Sequence, residues 1–180
     1  MKRAWVAIAA AVMTMACASA RAQQAAAPAQ PPPCSTAEFH QMDFWIGDWD
    51  ARYANDPSTP PDGRNVITRA YGGCVIQEAF DGGPAAQGLI GHSVSTYHTP
   101  VSQWRQTWVD NQGGYFALVG GPVGDDFVLE NSRLSEAAPH LRMLFEDITP
   151  GSFTWRWQQS QDDGATWTDQ WVIYYTRRAP

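Results

Sequence analysis

From residue 44 to residue 176, apolar and aromatic side chains recur in short runs rather than at helical spacing. The runs lie at about Phe44–Tyr53, Asn65–Tyr71, Cys74–Phe80, Leu89–Tyr97, Gln103–Asp110, Tyr115–Gly120, Phe127–Asn131, Leu141–Glu146, Phe153–Gln159 and Thr166–Thr176. Turn formers separate them, among them Asp81-Gly82-Gly83-Pro84, Asn111-Gln112-Gly113-Gly114 and Asp162-Asp163-Gly164. Short strands at near-regular spacing, punctuated by such turns, predict an all-β fold. Ten strands in one open layer would leave two unpaired edges, and closure removes them. The expected architecture is therefore a single up-and-down antiparallel barrel of about ten strands. Ahead of the first run, Ser35-Thr36-Ala37-Glu38 has the form of a capping box. One short N-terminal helix is predicted over about Thr36–Met42.

Successive strand side chains point to opposite faces, so alternation assigns an interior. Trp104, Gln106 and Trp108 share one face, against Arg105, Thr107 and Val109. Phe153, Trp155 and Trp157 share another, and Leu141, Met143 and Phe145 a third. These strongly aromatic or apolar faces are taken as inward. Along Cys74–Phe80 the bulkier set is Ile76, Glu78 and Phe80, which places the Glu78 carboxylate inside the barrel.

Two local signatures sharpen this picture. Gly47-Asp48-Trp49 is a Gly-x-Trp just after the predicted helix, and Arg177-Arg178 closes the last run. The arrangement resembles the calycins, the superfamily of lipocalins, fatty-acid-binding proteins and avidin-like barrels. The resemblance implies that Trp49, beside Gly47, packs beneath the barrel with the guanidinium of Arg177 or Arg178 across its indole. Such a contact gains cation–π energy. Arg52 to Arg64 departs from the fatty-acid-binding pattern, because its prolines leave no helical lid. The strings DFWIGDW, GGCVIQE, WRQTWVD and DGATW also resemble a family of small exported bacterial proteins without an assigned function. That likeness implies a barrel and supplies no activity.

The second signature is Ser160-Gln161-Asp162-Asp163-Gly164-Ala165-Thr166-Trp167, which resembles the Asp-box of sialidases. Those enzymes repeat the box around a propeller. A single copy reads instead as a hairpin device: Ser160 and Asp162 bond local backbone, Gly164 supplies the turn, and Trp167 anchors the return strand.

Composition changes the picture at the N-terminus. Lys2 and Arg3 precede an apolar run from Ala4 to Cys17, and Ala20-Arg21-Ala22 forms a small-residue cleavage site. Residues 1–22 are predicted to be a signal peptide, which places the protein in the periplasm or outside the cell. The run is shorter than the roughly 18 apolar residues of a membrane span. A retained anchor and a lipidated Cys17 rank below simple cleavage. Residues 23–33, QQAAAPAQPPP, read as a flexible tether, and residues 34–180 as the barrel domain. Cleavage removes three of the 12 basic residues and none of the 18 acids, so the net charge moves from −6 to −9. So acidic a domain is unsuited to nucleic acid, which needs clustered Arg and Lys. Lys2 is the chain's sole lysine. That excludes lysine Schiff-base chemistry from the mature protein.

With Cys17 gone, Cys34 and Cys74 remain, and two cysteines in an exported chain favour a disulfide over free thiols. No His-x-His, H-E-x-x-H or CxxC occurs, so neither a metal site nor a cofactor is expected. His92 and His98 would stand roughly 20 Å apart on a straight strand. A single-histidine haem site at His92 is a remote alternative. No G-x-S-x-G supports serine hydrolysis.

Candidate ligand-binding residues are Glu78, Gln106, Trp104, Trp108, Met143, Phe145, Trp155 and Trp157. Either they wall a pocket with a few placed polar groups, or they fill a solid barrel. Glu78 would then orient a ligand, act as an acid or base, or pair with Arg69, Arg105 or Arg156. The leading expectation is an exported barrel that binds a small apolar or aromatic molecule. The alternatives are an enzyme on the same barrel using Glu78, and a ligand-free envelope protein.

Overall fold

The alternating runs form strands, and the strands close. The structure, a computed structural model, describes residues 31–131 and 138–179. The predicted signal peptide, Cys17 and residues 23–30 of the tether lie outside the described residues. The strands are β1 (Gly47–Arg52), β2 (Gly63–Ala70), β3 (Val75–Asp81), β4 (Ile90–His98) and β5 (Gln103–Asp110), followed by β6 (Tyr115–Val123), β7 (Asp126–Asn131), β8 (His140–Glu146), β9 (Ser152–Ser160) and β10 (Thr168–Arg177). Each pairs antiparallel with its chain neighbours, and β1 pairs with β10 to complete a closed up-and-down barrel. Among the described residues no helix is long and apolar enough to cross a membrane.

The first apolar run divides. Asp43–Trp45 is a short 3-10 turn, and β1 begins only at Gly47. A preceding 3-10 turn spans Ala37–His40 and forms the short N-terminal helix. The expected capping box does not form. Thr36 holds the cap position without a side-chain cap bond, and Ser35 Oγ donates to the Pro32 carbonyl at 2.8 Å. A 3-10 turn is too short to reward a capping box, which needs the repeated i→i−4 ladder of an α-helix.

These two turns plug one end of the barrel. Met42 and Trp45 are buried there, and Phe44 meets Phe127, Phe145 and Phe153 at ring separations of 6.0, 5.7 and 6.1 Å. Trp49 is fully buried, stands edge-on to Phe153 at 4.8 Å and donates from Nε1 to the Trp45 carbonyl at 2.8 Å. The Arg177 guanidinium lies 4.1 Å from the Trp49 ring centre and donates to the Ile46 and Pro150 carbonyls. Arg178 turns aside to Asp50. Gly47 makes room: with φ at +154°, a Cβ there would stand 2.1 Å from Arg177 Nη1.

The plug is also tied sideways. Cys34 and Cys74 form a disulfide with a Cα–Cα distance of 5.0 Å, joining the entry segment to the β2–β3 turn. Beside it Arg69 donates to the Phe39 and Gly73 carbonyls and pairs with Asp43.

The barrel's other end carries the Asp-box hairpin between β9 and β10. Ser160 Oγ donates to Asp162 Oδ1 and accepts from the Gly164 N–H at 2.7 Å. The Asp162 carboxylate accepts from both the N–H and the hydroxyl of Thr166. Those bonds, with the one from Ser160, hold the Asp162 carboxyl down at about 2. Trp167 Nε1 donates to the Gly164 carbonyl, and the Arg142 guanidinium covers its ring at 4.1 Å.

Two measurements check this frame. The disulfide closes 40 residues, so replacing both cysteines by serine lowers unfolding free energy in denaturant by roughly 3–4 kcal/mol. Gly47→Ala and Arg177→Ala each cost about 1 kcal/mol or more, and the double variant costs less than the sum, because the added methyl then has no guanidinium to strike. Strict additivity in that cycle would refute the contact.

Candidate ligand cavity

Inward side chains do not fill the barrel. Above the plug lies a cavity of about 190 Å³. Its floor includes Trp45, and its upper wall is a band of aromatic rings. Trp155 and Trp157 lie parallel on β9, with ring centres 6.4 Å apart. Trp171 stands edge-on to Trp155 at 5.7 Å, and Phe116 meets Trp157 at 5.0 Å. Phe80 bridges Trp171 and Trp108 at 5.9 and 6.1 Å. Trp108 and Phe116 are cross-strand partners, so the band runs almost completely around the opening. A Cβ on Gly91 would stand 2.1 Å from the Trp108 ring, and glycine is what lets that indole lie against β4.

One wall is polar. Alternation along β3 turns Ile76, Glu78 and Phe80 inward, and all three are buried. Glu78 Oε1 accepts from Asn65 Nδ2 at 2.7 Å, and Oε2 accepts from Ser93 Oγ at 2.6 Å. Asn65 Nδ2 also reaches Tyr175 Oη at 3.3 Å. Among the described residues no cation answers the carboxylate. Arg69 serves the plug, Arg156 pairs with Glu146 and Asp169 on the outer face, and Arg105 points to solvent. Burial pushes the Glu78 carboxyl up to about 7, against the opposing hydrogen bonds from Ser93 and Asn65. Burial likewise raises the Tyr175 phenol, and the nearby Glu78 charge adds to it. Two buried polar atoms on lining residues have no partner within the protein: Asn65 Oδ1, an acceptor, and Trp45 Nε1, a donor. Each orphan costs about 1–3 kcal/mol.

The eight candidate binding residues separate by height. Glu78, Trp108, Met143, Trp155 and Trp157 line the cavity. Trp104, Gln106 and Phe145 are buried but do not. Trp104 Nε1 donates to Gln41 Oε1, Phe145 packs on Trp45 in the plug, and Gln106 Nε2 donates to Ser95 Oγ. Alternation gives the face of a strand and not the level along the barrel. Sequence reasoning passed over Asn65, Tyr175, Trp171, Phe116 and Trp45 as site residues. The first four follow from alternation applied to β2, β10 and β6. Trp45 gives no such signal, because its turn is not periodic.

No protein-family model matches the chain, and no curated protein matches it.

The buried acid makes stability depend on pH. Its folded value lies above its ordinary one of 4.5, so between the two the folded chain keeps a proton that the unfolded chain has released. This contribution is present in full below about pH 4.5 and is lost as pH rises through about 7. Unfolding free energy should fall by roughly 2–3 kcal/mol from pH 5 to pH 8 on this account. In Glu78→Gln that component disappears, as denaturant titrations at the two pH values will show.

Proposed function

We propose that this is an exported, calycin-like barrel that encloses a small molecule with an aromatic or compact apolar body. The observation that carries the reading is an aromatic cavity, open at one end, with a buried carboxyl on one wall that no cation among the described residues pairs with. A cavity of about 150 Å³ with apolar walls accepts benzene, so about 190 Å³ suits a single ring with a short substituent. Apolar burial supplies the affinity, at roughly 25 cal/mol per Å² removed from water. Glu78 and Asn65 orient the guest. Export is supported by the charged and apolar N-terminal sequence and by the disulfide, a bond suited to oxidising compartments. The open interior weighs against a ligand-free envelope protein.

A second reading has one observation in its favour. A carboxyl held at about 7 inside a cavity is poised for proton transfer near neutral pH. Under that reading Glu78 is the acid or base of a small-substrate enzyme, and Glu78→Gln abolishes turnover while leaving binding intact.

Benzyl alcohol titrated into the purified protein should change tryptophan fluorescence saturably and give a one-to-one adduct in native mass spectrometry. Met143→Trp fills the same space and should lose this binding while keeping a cooperative thermal transition. An unchanged fluorescence across toluene, benzyl alcohol and benzylamine would dispose of the binding reading.

A further inference from the structure

The polar chemistry of the cavity is one-sided. Glu78 and Asp110 line it, and among the described residues no lysine, arginine or histidine does. Asp110 sits at the open end of β5. Its carboxylate accepts from Trp108 Nε1 at 2.9 Å and from the Gln112 and Gly114 N–H groups at 2.9 and 2.7 Å. Partial burial works to raise its carboxyl, but the bonds from Trp108, Gly114 and Gln112 prevail and keep it below the usual range. It is therefore a fixed negative charge beside the opening. Deeper in, Asn65 is 1% exposed, and its unpartnered Oδ1 is an acceptor.

The walls add to the bias. The faces of indole and phenyl rings carry negative potential, and a cation within about 6 Å of a ring centre is attracted to it. Trp108, Trp155, Trp157, Trp171, Phe80 and Phe116 line the cavity, so a cation held there lies among such rings. Against all this stands, among the described lining residues, one unpartnered buried donor, Trp45 Nε1, which is too little to seat an anion where no described lining side chain is cationic.

A buried carboxylate without a counter-ion is costly, and the described residues supply none. We infer that the guest supplies it: the cavity takes a small organic cation, a protonated primary amine on a body of about one ring. N–H donors are required because Glu78 and Asn65 Oδ1 are hydrogen-bond acceptors, which a quaternary ammonium group could not satisfy. The chain's net charge of −6 draws such cations toward the opening. This inference rests on the binding reading above and adds the charge and donor pattern of the ligand.

The test uses three probes with one body and three charges: benzylamine, benzyl alcohol and benzoate. Calorimetric or fluorescence titration of the purified protein at about pH 8 keeps both Glu78 and the amine ionised. Benzylamine should bind at least about tenfold more tightly than benzyl alcohol, with benzoate the weakest. Glu78→Gln should lower benzylamine affinity about tenfold and leave benzyl alcohol within about threefold. Should that variant fail to fold, pH is the second lever. Ser93, Asn65, Tyr175 and Asp110 are the polar groups around Glu78 or on its cavity. Of these, neither Tyr175 nor Asp110 titrates between about pH 8 and pH 5.5, because the phenol is raised and the carboxyl lowered. Benzylamine affinity should then fall about tenfold over that range and benzyl alcohol should not. Equal or weaker binding of benzylamine relative to benzyl alcohol overturns the amine inference and leaves the cavity reading standing. No binding of any of the three overturns both.

Discussion

The Trp49 indole joins the first strand of the barrel to the last, and the shape of the interior depends on that union. Its ring lies under the Arg177 guanidinium, its N–H holds the Trp45 carbonyl, and its edge meets Phe153. The 3-10 turns beneath it bring Met42, Phe44 and Trp45 across the end of the barrel. One end is thus filled by apolar rings before the strands have contributed their upper side chains. The space that remains must lie toward the other end, where the strands offer indoles and a carboxyl rather than more aliphatic packing.

Much of this was legible in the chain because strand periodicity is local. The apolar run Gln103–Asp110 has the bounds of β5, and alternation along β3 turns Glu78 inward. The Gly-x-Trp and its distant arginine were legible as a resemblance, and Arg177 rather than Arg178 takes the indole because it stands directly opposite Trp49 across the β1–β10 pairing and so shares its face. The misses have a common cause. Phe44 and Trp45 look like the start of a strand, since an apolar run without alternation carries no period. Trp104 and Trp108 look equivalent, since two residues on one face differ only in height. Asn65 meets Glu78 and Tyr175 through the pairings of β2 with β3, of β1 with β2 and of β10 with β1, which no single run contains.

The polar wall and the aromatic band make opposite demands. Rings gather to escape water, and in doing so they strip water from Glu78. Hydrogen bonds from Asn65 and Ser93 compensate only in part, so the acid remains poised between its two states. Replacing Glu78 with leucine would give a better packed core of the usual kind. The polar wall costs stability, and in the proposed function it is what distinguishes one guest from another.

The barrel's seam has a bearing on how the chain reaches its fold. Every strand pairing but one joins neighbours in sequence, so each can form as a local hairpin with little loop entropy to overcome. The pairing of β1 with β10 is different, because it brings together the two ends of the domain. Contacts so distant along the chain form slowly. Assembly therefore has a natural order: a growing meander first, and then a single closing event in which Arg177 reaches Trp49. Until that event both outer strands offer unpaired edges to other chains, and the residues that latch the barrel also set how long that exposure lasts.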